Sequence, residues 1–525
     1  MGETNGAVVR FPDGRDVPIE WAYPDAPQYE WLLEREHWPE PLTPVERWIW
    51  HHGAAGGDRA WEEVGLEPPP AFYRFQTCGP FLYVNATEPP PERLMALAPR
   101  YIAVAQEYGG ALRFWTTFCE PRIKQACAEL ARMDDHADLR TAAETLFYGF
   151  HQTFTCLGLL FIPRMRLGAL LKENDVAEPD LTALELTQGG ENATQRIDEE
   201  IWRLAELARA TPAVSRLLQA AGDGALAALR AAPEAATLVA AFDALIARHG
   251  SRSQGWTLSV PTWRERPEAA LALVRAQVAS ERVSPDELRA RTAERRIAAT
   301  ERVLAALPAE RHEEFRSLLA ELDGYVPIRE GRAYWQLVIA GETRALTLRV
   351  GERLVREGRL GAAEDVCFLT PEDWDAGGDL RPLAAQRREE WERWRTVEPP
   401  LVIGTPGTTA ADAQEKREQF RGAPASRGVV TAPVRILASP EEGARLQRGD
   451  ILVCTMTTPA WTPLFAIAGG VITETGGALS HPAITAREYG IPAVVALADA
   501  TTKLKDGQVV TIDGAAGTVT AAGGS

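Results

Sequence analysis

The sequence predicts a multidomain α+β protein, with a large, mainly α-helical N-terminal region followed by a small α/β domain. Three regions of the 525 residues differ in composition and in the spacing of their apolar residues, and these differences indicate the division. Residues 1–395 are rich in Ala, Leu, Arg and Glu and place apolar residues at helical spacing. Residues 396–424 contain Val-Glu-Pro-Pro and Gly-Thr-Pro-Gly-Thr-Thr, which is the composition of a hinge linker. Residues 425–525 consist of short β-rich runs separated by turns.

The N-terminal region shows repeated helical faces. Two of these faces are formed by Ile201, Leu204 and Ala208 and by Ile297, Leu304 and Leu307. Proline and glycine punctuate such stretches, so we expect ten or more helices.

Six of the fifteen tryptophans lie in the first 61 residues. Interspersed prolines make long helices before about Pro44 unexpected. These tryptophans either staple an irregular segment to the helical body or line an aromatic pocket.

The C-terminal region should alternate strands with short helices. We expect strands at residues 428–437, 450–456, 470–474, 493–497 and 508–512. Short helices fit near residues 440–446, 462–468 and 481–489.

Composition argues against several classes of function. A net charge of −17 without a dense Lys/Arg block makes a nucleic-acid partner unexpected. The six cysteines form no Cys-x-x-Cys motif and have no closely spaced His, so we expect buried free thiols and no metal site. The N-terminus lacks an apolar signal core, and the apolar stretch near Cys156–Pro163 is far shorter than the roughly 20 residues that span a bilayer. We therefore expect a cytoplasmic protein without a membrane partner.

The stretch from Thr473 to Val495 carries the strongest chemical signal. Its Gly476-Gly477 pair allows positive φ and a close approach of the backbone to a ligand. Ser480 and Pro482 suit a helix N-terminus, so His481 stands where free N–H groups and the helix dipole favour phosphate. A neutral imidazole nitrogen is a competent nucleophile toward a phosphoryl group. The local chemistry alone also fits an ordinary capping or surface histidine.

The longer pattern Gly-Gly-x-x-Ser-His-x-x-Ile-x-x-Arg-Glu-x-Gly-Ile-Pro-Ala-Val-Val resembles the PEP-utilising enzymes. This family includes phosphoenolpyruvate synthase, pyruvate phosphate dikinase and enzyme I of the sugar phosphotransferase system. The resemblance covers about residues 424–522 and implies a swivelling phosphohistidine domain of the β/β/α kind. It implies His481 as the phosphoacceptor, supported by Thr475, Gly476, Gly477, Ser480 and Arg487.

Leu479 stands where the dikinases commonly have Thr. Leu-Ser-His is more similar to the branch that contains rifampin phosphotransferase and the His-bearing subunit of phenylphosphate synthase. Segments of the helical region resemble the same branch, which implies Arg252, Trp263 and Arg332 around an acceptor substrate. Ser251 replaces the His of the family's Gly-His-Arg pattern, so a catalytic duty at that position is not expected.

No Gly-x4-Gly-Lys-Ser/Thr loop occurs in the sequence. The resemblance therefore implies an ATP-dependent phosphotransferase whose ATP and Mg²⁺ bind to a separate ATP-grasp-type subunit, with no cofactor on this chain. His481 would carry the phosphoryl group to a small organic acceptor such as a phenol, an alcohol or a natural product. Two alternatives stay open: an ATP-dependent condensing enzyme of ligase type, and a regulatory phosphocarrier without turnover.

Overall fold

The computed structural model describes twelve stretches of the chain. They are residues 7–22, 25–35, 37–68, 74–85, 91–188, 192–220, 224–252, 255–279, 284–405, 421–458, 461–477 and 480–521. The chain divides into two compact units. The first contains residues 1–159, 255–261 and 335–414, and the second contains residues 160–254, 262–334 and 415–525.

The helices, in chain order, are α1 Pro44–His52, α2 Ala54–Val64, α3 Pro91–Tyr108, α4 Ala111–Phe114, α5 Glu120–Arg132, α6 Leu139–Glu173, α7 Pro179–Leu186, α8 Ala193–Ala210, α9 Pro212–Ala220, α10 Ala225–Ala231, α11 Ala236–His249, α12 Pro267–Ala279, α13 Pro285–Ala306, α14 His312–Glu321, α15 Tyr325–Arg356, α16 Pro371–Asp375, α17 Arg381–Arg395, α18 Thr462–Phe465, α19 His481–Tyr489 and α20 Ala500–Lys503. The strands are β1 Ala7–Arg10, β2 Asp16–Ile19, β3 Glu30–Leu33, β4 Phe75–Cys78, β5 Phe81–Asn85, β6 Val402–Gly404, β7 Ala423–Ser426, β8 Val429–Ile436, β9 Ile451–Cys454, β10 Gly470–Thr473, β11 Ala493–Val495, β12 Val509–Asp513 and β13 Thr518–Ala521. The predicted fold class, a mainly helical region followed by a small α/β domain, is confirmed.

The first unit contains β-structure that the sequence did not predict. A β1–β2 hairpin stands beside a four-stranded antiparallel sheet of order β4-β5-β3-β6. Trp31 on β3 lies opposite Asn85 and Ile403, is fully buried, and donates its indole N–H to the Ala26 carbonyl over 2.8 Å. The N-terminal aromatic residues therefore do staple this segment together, but as a sheet.

Helix α1 begins at Pro44, where the sequence predicted that long helices become possible. Thr43 donates its backbone N–H and its hydroxyl to Glu46, at 2.7 and 2.8 Å, in a capping box. Burial raises the pKa of the Glu46 carboxyl, while its hydrogen bonds oppose that shift.

Helix α6 is long and apolar enough to cross a membrane by length and composition, which the short apolar run near Cys156–Pro163 did not indicate. Half of its most apolar window is buried within the protein. Its polar side chains also find partners there: Trp61 donates to His151 over 3.1 Å and Gln336 donates to Thr153 over 3.0 Å. These are the features of a core helix.

The helices of the second unit enclose a core made by α8, α9, α11 and α12. The predicted face of Ile201, Leu204 and Ala208 is buried there, with at most 3% exposed. The second predicted face is wrong: Ile297 is 59% exposed, and α13 instead buries Thr292, Ala299 and Val303. All six cysteines of the chain are buried free thiols, as expected.

The C-terminal part of the second unit forms a seven-stranded mixed sheet of order β13-β12-β8-β9-β10-β11-β7. Strands β8 to β11 are parallel, and β9, β10 and β11 are entirely buried because side chains cover both faces. All five predicted strands are present, and α19 matches its predicted range. The short edge strands β7 and β13 were not predicted.

The structure describes only part of the predicted hinge at residues 396–424, namely residues 396–405 and 421–424. Strand β6 pairs with β3, whereas β7 pairs with β11. Residues 406–420 lie outside the described residues, so the hinge role of 396–424 and the boundaries 1–395 and 425–525 stay predictions.

Candidate functional site

The predicted phosphoacceptor lies at the first position of α19, directly after a tight loop that follows β10. Gly476 has φ +104°, and a Cβ there would approach the Ser480 Oγ to 2.6 Å. Only glycine fits that position without strain. Gly477 is exposed and has open space around it, so its lack of a side chain leaves room beside the loop.

Hydroxyl groups surround the imidazole of His481. Its Nδ1 lies 2.9 Å from the Thr457 Oγ1, and its Nε2 lies 3.2 Å from the Thr462 Oγ1 and 3.3 Å from the Thr485 Oγ1. The Phe465 ring meets the imidazole edge to face, with centroids 6.1 Å apart. If Nδ1–H donates to Thr457, the lone pair of Nε2 faces the other two hydroxyls.

His481 is held in the neutral form. Burial, together with the guanidinium charges of Arg252 and Arg329, lowers the pKa of His481 to about 3. An unprotonated ring nitrogen is the form that can attack phosphorus. The same cations would favour an anionic phosphoryl group on the ring.

The support residues predicted from the motif fall into two groups. Ser480 occupies the N-cap position, but its hydroxyl donates to the Gly477 carbonyl over 2.8 Å and so closes the loop. Thr475 anchors the same loop by donating its hydroxyl to the Thr455 carbonyl over 3.1 Å. Arg487 is elsewhere on α19: its guanidinium donates to the Ala425 carbonyl over 2.6 Å and ties the helix to β7. The phosphate-binding roles of these residues stay predictions, and Leu479 lies outside the described residues.

Arg252 is brought close to His481, as the acceptor-site prediction requires. It is 1% exposed, and its Nε and Nη2 atoms have no hydrogen-bond partner among the described residues. Its guanidinium carbon lies 5.2 Å from the centroid of the fully buried Trp263 ring. Burial lowers the pKa of Arg252 to about 10, against the opposing influence of Tyr334 and Asp198. A buried guanidinium with unsatisfied donors is a strong candidate for binding an oxyanion.

Arg332, the third predicted acceptor residue, is also buried on α15. Burial raises the pKa of neighbouring Glu330, and the charge of Arg332 opposes that shift. Arg329, three positions earlier, is one of the two arginines whose charge lowers the pKa of His481. The acceptor-binding role of Arg332 stays a prediction.

Buried carboxyl groups complete the surroundings of Arg252. Tyr489 donates its hydroxyl to Asp198 over 3.2 Å, and Thr194 donates to Glu330 over 2.8 Å. Burial raises the pKa of Glu488 to about 8, with Glu330 and Asp198 adding to the shift. These residues give no motif in the sequence, because three separate helices, α8, α15 and α19, supply them.

The C-terminal sheet domain rests on the helices of its own unit. Thr292 and Arg295 on α13 donate to the Glu488 carbonyl over 2.7 and 2.8 Å. Gln277 on α12 donates to the Pro463 carbonyl over 2.8 Å. Arg427 pairs at 2.7 Å with both Glu178 and Glu185, on and beside α7. These contacts, which we call the docking contacts, hold His481 against the side of the helical region that contains Arg252.

Two further histidines, His249 and His151, have the chemistry of a base that could activate an acceptor hydroxyl. His249 has its Nδ1 3.2 Å from the Tyr334 hydroxyl and its Nε2 3.4 Å from Glu200. His151 belongs to the other unit, where its Nδ1 accepts the Trp61 indole N–H and burial lowers its pKa to about 4. Within the described residues, no three His, Cys, Asp or Glu side chains converge as a metal site would require.

Comparisons with known proteins agree with this architecture. The family described as the PEP-utilising enzyme mobile domain matches residues 446–517. The rifampicin phosphotransferase fourth domain matches residues 153–330.

Individual relatives cover more of the chain. A rifampicin phosphotransferase from a Streptomyces species is 31% identical over 62% of this chain and 40% of its own length. Chondramide synthase of Chondromyces crocatus is 27% identical over 97% of this chain but only 14% of its own length. Phosphoenolpyruvate synthase of Aeropyrum pernix is 39% identical over 32% of this chain and 21% of its own length. The chain thus spans less than half the length of these relatives. It contains a segment similar to the rifampicin phosphotransferase fourth domain, followed by one similar to the PEP-utilising enzyme mobile domain. The predicted resemblance to the PEP-utilising enzymes, near the rifampicin phosphotransferase branch, is thereby confirmed.

Proposed function

We propose that this protein is a phosphotransferase that carries a phosphoryl group on His481 to a small organic acceptor bound by its helical region. The observation that carries the proposal is a buried, neutral imidazole whose two ring nitrogens meet three threonine hydroxyls beside a buried, unsatisfied arginine. A purely structural histidine would not explain a buried guanidinium that keeps two donors unsatisfied among the described residues.

The first step would form a bond between Nε2 of His481 and phosphorus. Thr457 accepts a hydrogen bond from Nδ1–H, so the proton stays on Nδ1 and Nε2 keeps its lone pair. As the N–P bond forms at the β-phosphorus of ATP, the bond from that phosphorus to the α-phosphate oxygen breaks, and AMP leaves with the electron pair. Water then removes the γ-phosphate as inorganic phosphate and leaves the β-phosphoryl group on Nε2. The hydroxyls of Thr462 and Thr485 are placed to donate to the phosphoryl oxygens.

The second step would return the electron pair of the N–P bond to Nε2 as the acceptor oxygen attacks phosphorus. Arg252 would hold the transferring group, because its Nε and Nη2 donors are free and Trp263 fixes its plane. The proton of the acceptor hydroxyl would pass to a base. His249, oriented by Glu200, is the candidate that lies in the same unit as Arg252.

The phosphoryl donor is ATP with Mg²⁺, bound by a separate ATP-grasp-type subunit or by a further part of a longer chain. The matched rifampicin phosphotransferase is longer than this chain, which is consistent with a donor site elsewhere. That relative is named for phosphate transfer to rifampicin, a natural product, so we favour the hydroxyl group of a natural product as the acceptor. We retain a cytoplasmic location and expect no nucleic-acid or membrane partner.

The match to chondramide synthase over 97% of the chain favours a second candidate, in which the phosphoryl group activates one substrate for condensation. Identification of the product separates the two: a stable phosphate ester supports simple transfer, and a new C–N or C–O bond with released phosphate supports condensation. A phosphocarrier without turnover would give neither product.

The proposal is tested by incubation with [β-³²P]ATP, Mg²⁺ and the nucleotide-binding part of a rifampicin phosphotransferase. We expect acid-labile label on the wild type and on the control His312→Gln, and none on His481→Gln. Equal labelling of His481→Gln and the wild type would refute the role of His481.

Phosphoramidate, which phosphorylates histidine without a partner protein, gives a second test. Mass spectrometry should find the phosphoryl group on His481. Labelling of the exposed His136 with none on His481 under any condition would contradict the proposal.

A further inference from the structure

The first unit contains a cavity of about 630 Å³ that is separate from the chemistry of His481. Its wall comes from α1, α17 and the segments around Glu20, Pro80 and Thr370. The volume falls in the range of small-molecule sites, roughly 300–1,000 Å³. Neither matched family domain covers these residues, because the matches span only 153–330 and 446–517.

Three tryptophans and two histidines form much of the wall. Trp48 on α1 and Trp391 and Trp394 on α17 contribute indoles, and His51 and His52 follow Trp48. Trp48 is one of the six tryptophans in the N-terminal segment whose two interpretations were burial and an aromatic pocket. Trp48 lines this cavity, which agrees with the interpretation that some of these tryptophans form an aromatic pocket.

The aromatic rings are already fixed in place. Trp48 donates its indole N–H to Glu372 over 2.8 Å, and Trp391 donates its own to the Pro41 carbonyl over 2.6 Å. His52 stacks on Trp48 with centroids 3.9 Å apart, and its Nδ1 lies 2.7 Å from the Trp48 carbonyl. Because the indole N–H groups are committed to the protein, these rings offer a ligand their faces and edges rather than a donor.

The two arginines in the cavity wall differ in whether a carboxylate pairs with them. Arg387 is held by Asp373, whereas the Arg47 guanidinium has no hydrogen bond or ion pair within the part of the chain that the structure describes. The nearest opposing charges are Glu390 and Glu20, which also line the cavity but lie beyond ion-pair distance of Arg47. Arg47 stays accessible to water, since its side chain stands within the open cavity.

We propose that this cavity binds a planar aromatic molecule that carries a carboxylate. The ring would lie against Trp48 and Trp391, and the carboxylate would pair with Arg47. Glu20 and Glu390 would favour ligands whose remaining substituents are hydrogen-bond donors, such as hydroxyl or amino groups. This site is independent of the phosphorelay, so it stands even if His481 serves another purpose.

Indole-3-propionate and its uncharged amide, indole-3-propionamide, are matched probes that differ only at the carboxylate. Isothermal titration calorimetry of the full chain should show saturable binding of the acid, about tenfold tighter than that of the amide. A charge-assisted hydrogen bond supplies that difference, since tenfold is about 1.4 kcal/mol. Arg47→Met should bind the acid no better than the amide.

Two controls isolate the effect. Arg132→Met, which removes an exposed arginine from α5 of the same unit, should leave both affinities unchanged. His481→Gln should also bind the acid as the wild type does, which separates this site from the phosphorelay. The proposal is overturned if the wild type shows no saturable binding of the acid, if acid and amide bind equally, or if Arg47→Met retains the preference.

Discussion

At the scale of single residues, the chemistry of His481 depends on hydroxyl groups supplied by other segments. Thr457 fixes the ring from the Nδ1 side, and Thr462 and Thr485 face Nε2. A ring that rotates or changes tautomer would present the wrong nitrogen to phosphorus. The three threonines therefore matter for reactivity more than for stability.

Thr457→Val should slow phosphorylation of His481 by about tenfold, because a net hydrogen-bond loss of roughly 0.5–1.5 kcal/mol no longer favours the reactive tautomer. The measurement is the initial rate of acid-labile labelling. Thr431→Val, which breaks a 2.7 Å hydroxyl contact to Thr511 on the sheet surface, is the matched control and should keep the wild-type rate. An unchanged rate for Thr457→Val would show that Thr457 does not orient the ring.

The two glycines of the loop should respond differently to the same substitution. Gly476→Ala combines a φ of +104° with a 2.6 Å approach to Ser480, so we expect a loss of about 1–3 kcal/mol in the free energy of unfolding. Gly477→Ala meets no atom within 4 Å and should change stability by less than about 0.5 kcal/mol. Urea denaturation measures both, and equal losses would contradict the loop geometry.

Arg252→Met should separate stability from function. Removing a buried guanidinium with two unsatisfied nitrogens should leave the melting temperature unchanged or higher. The same change should abolish transfer from phosphorylated His481 to the acceptor while His481 still becomes labelled. If Arg252→Met lowers the melting temperature and keeps transfer, the residue is structural.

The residue scale also shows what the sequence could and could not predict. His481 was predictable because a glycine loop, a serine and a proline surround it within seven positions. The roles of Arg329, Asp198 and Thr457 were not predictable. Each lies in a different segment of the sequence, and only the tertiary fold brings it near His481 or Arg252.

At the scale of elements, local signals predicted α19 well. Ser480 and Pro482 mark its start, and Gly490, in the left-handed region at φ +67°, marks its end. The strands of the first unit carried no such signal, because they are three to five residues long and β3 pairs with β6 far along the chain. Long-range pairing, rather than local propensity, decides such strands.

Helix α19 carries two groups whose ionisation opposes each other. His481, with a lowered pKa, favours the folded and docked state above pH 6.5, and that contribution is lost as the pH falls from 6.5 toward 3. Glu488, with a pKa raised from 4.5 to about 8, holds a proton that the unfolded chain releases. Its contribution is present below pH 4.5 and is lost as the pH rises toward 8.

Glu488→Gln should therefore raise the melting temperature at pH 8 and have little effect at pH 5. A gain of about 1 kcal/mol corresponds to roughly 2–4 °C for a unit of this size. Glu441→Gln, in the short helical turn Pro440–Arg445 of the same domain, is the control. It should leave the melting temperature unchanged at both pH values. An equal shift at pH 5 and pH 8 would contradict the raised pKa of Glu488.

At the scale of the whole molecule, a phosphohistidine carrier must alternate between a donor and an acceptor. In the proposed transfer, the docking contacts correspond to the acceptor-facing state, and with these contacts made His481 is only 9% exposed. Access of any donor to His481 then requires these contacts to break. The strength of the docking contacts should set how often His481 becomes accessible.

Arg295 is the clearest place to test this coupling. Its Nη2 donates to the Arg487 and Glu488 carbonyls at the C-terminal end of α19, over 2.9 and 2.8 Å. Arg295→Ala should cost docking about 1–2 kcal/mol and so increase the undocked population roughly tenfold. Phosphoramidate should then label His481 faster by a similar factor. Arg296→Ala, the neighbouring arginine of α13 that instead pairs with Asp323, is the matched control and should label at the wild-type rate. If both variants label as the wild type does, docking does not limit access to His481, and the histidine must be reached within the docked state.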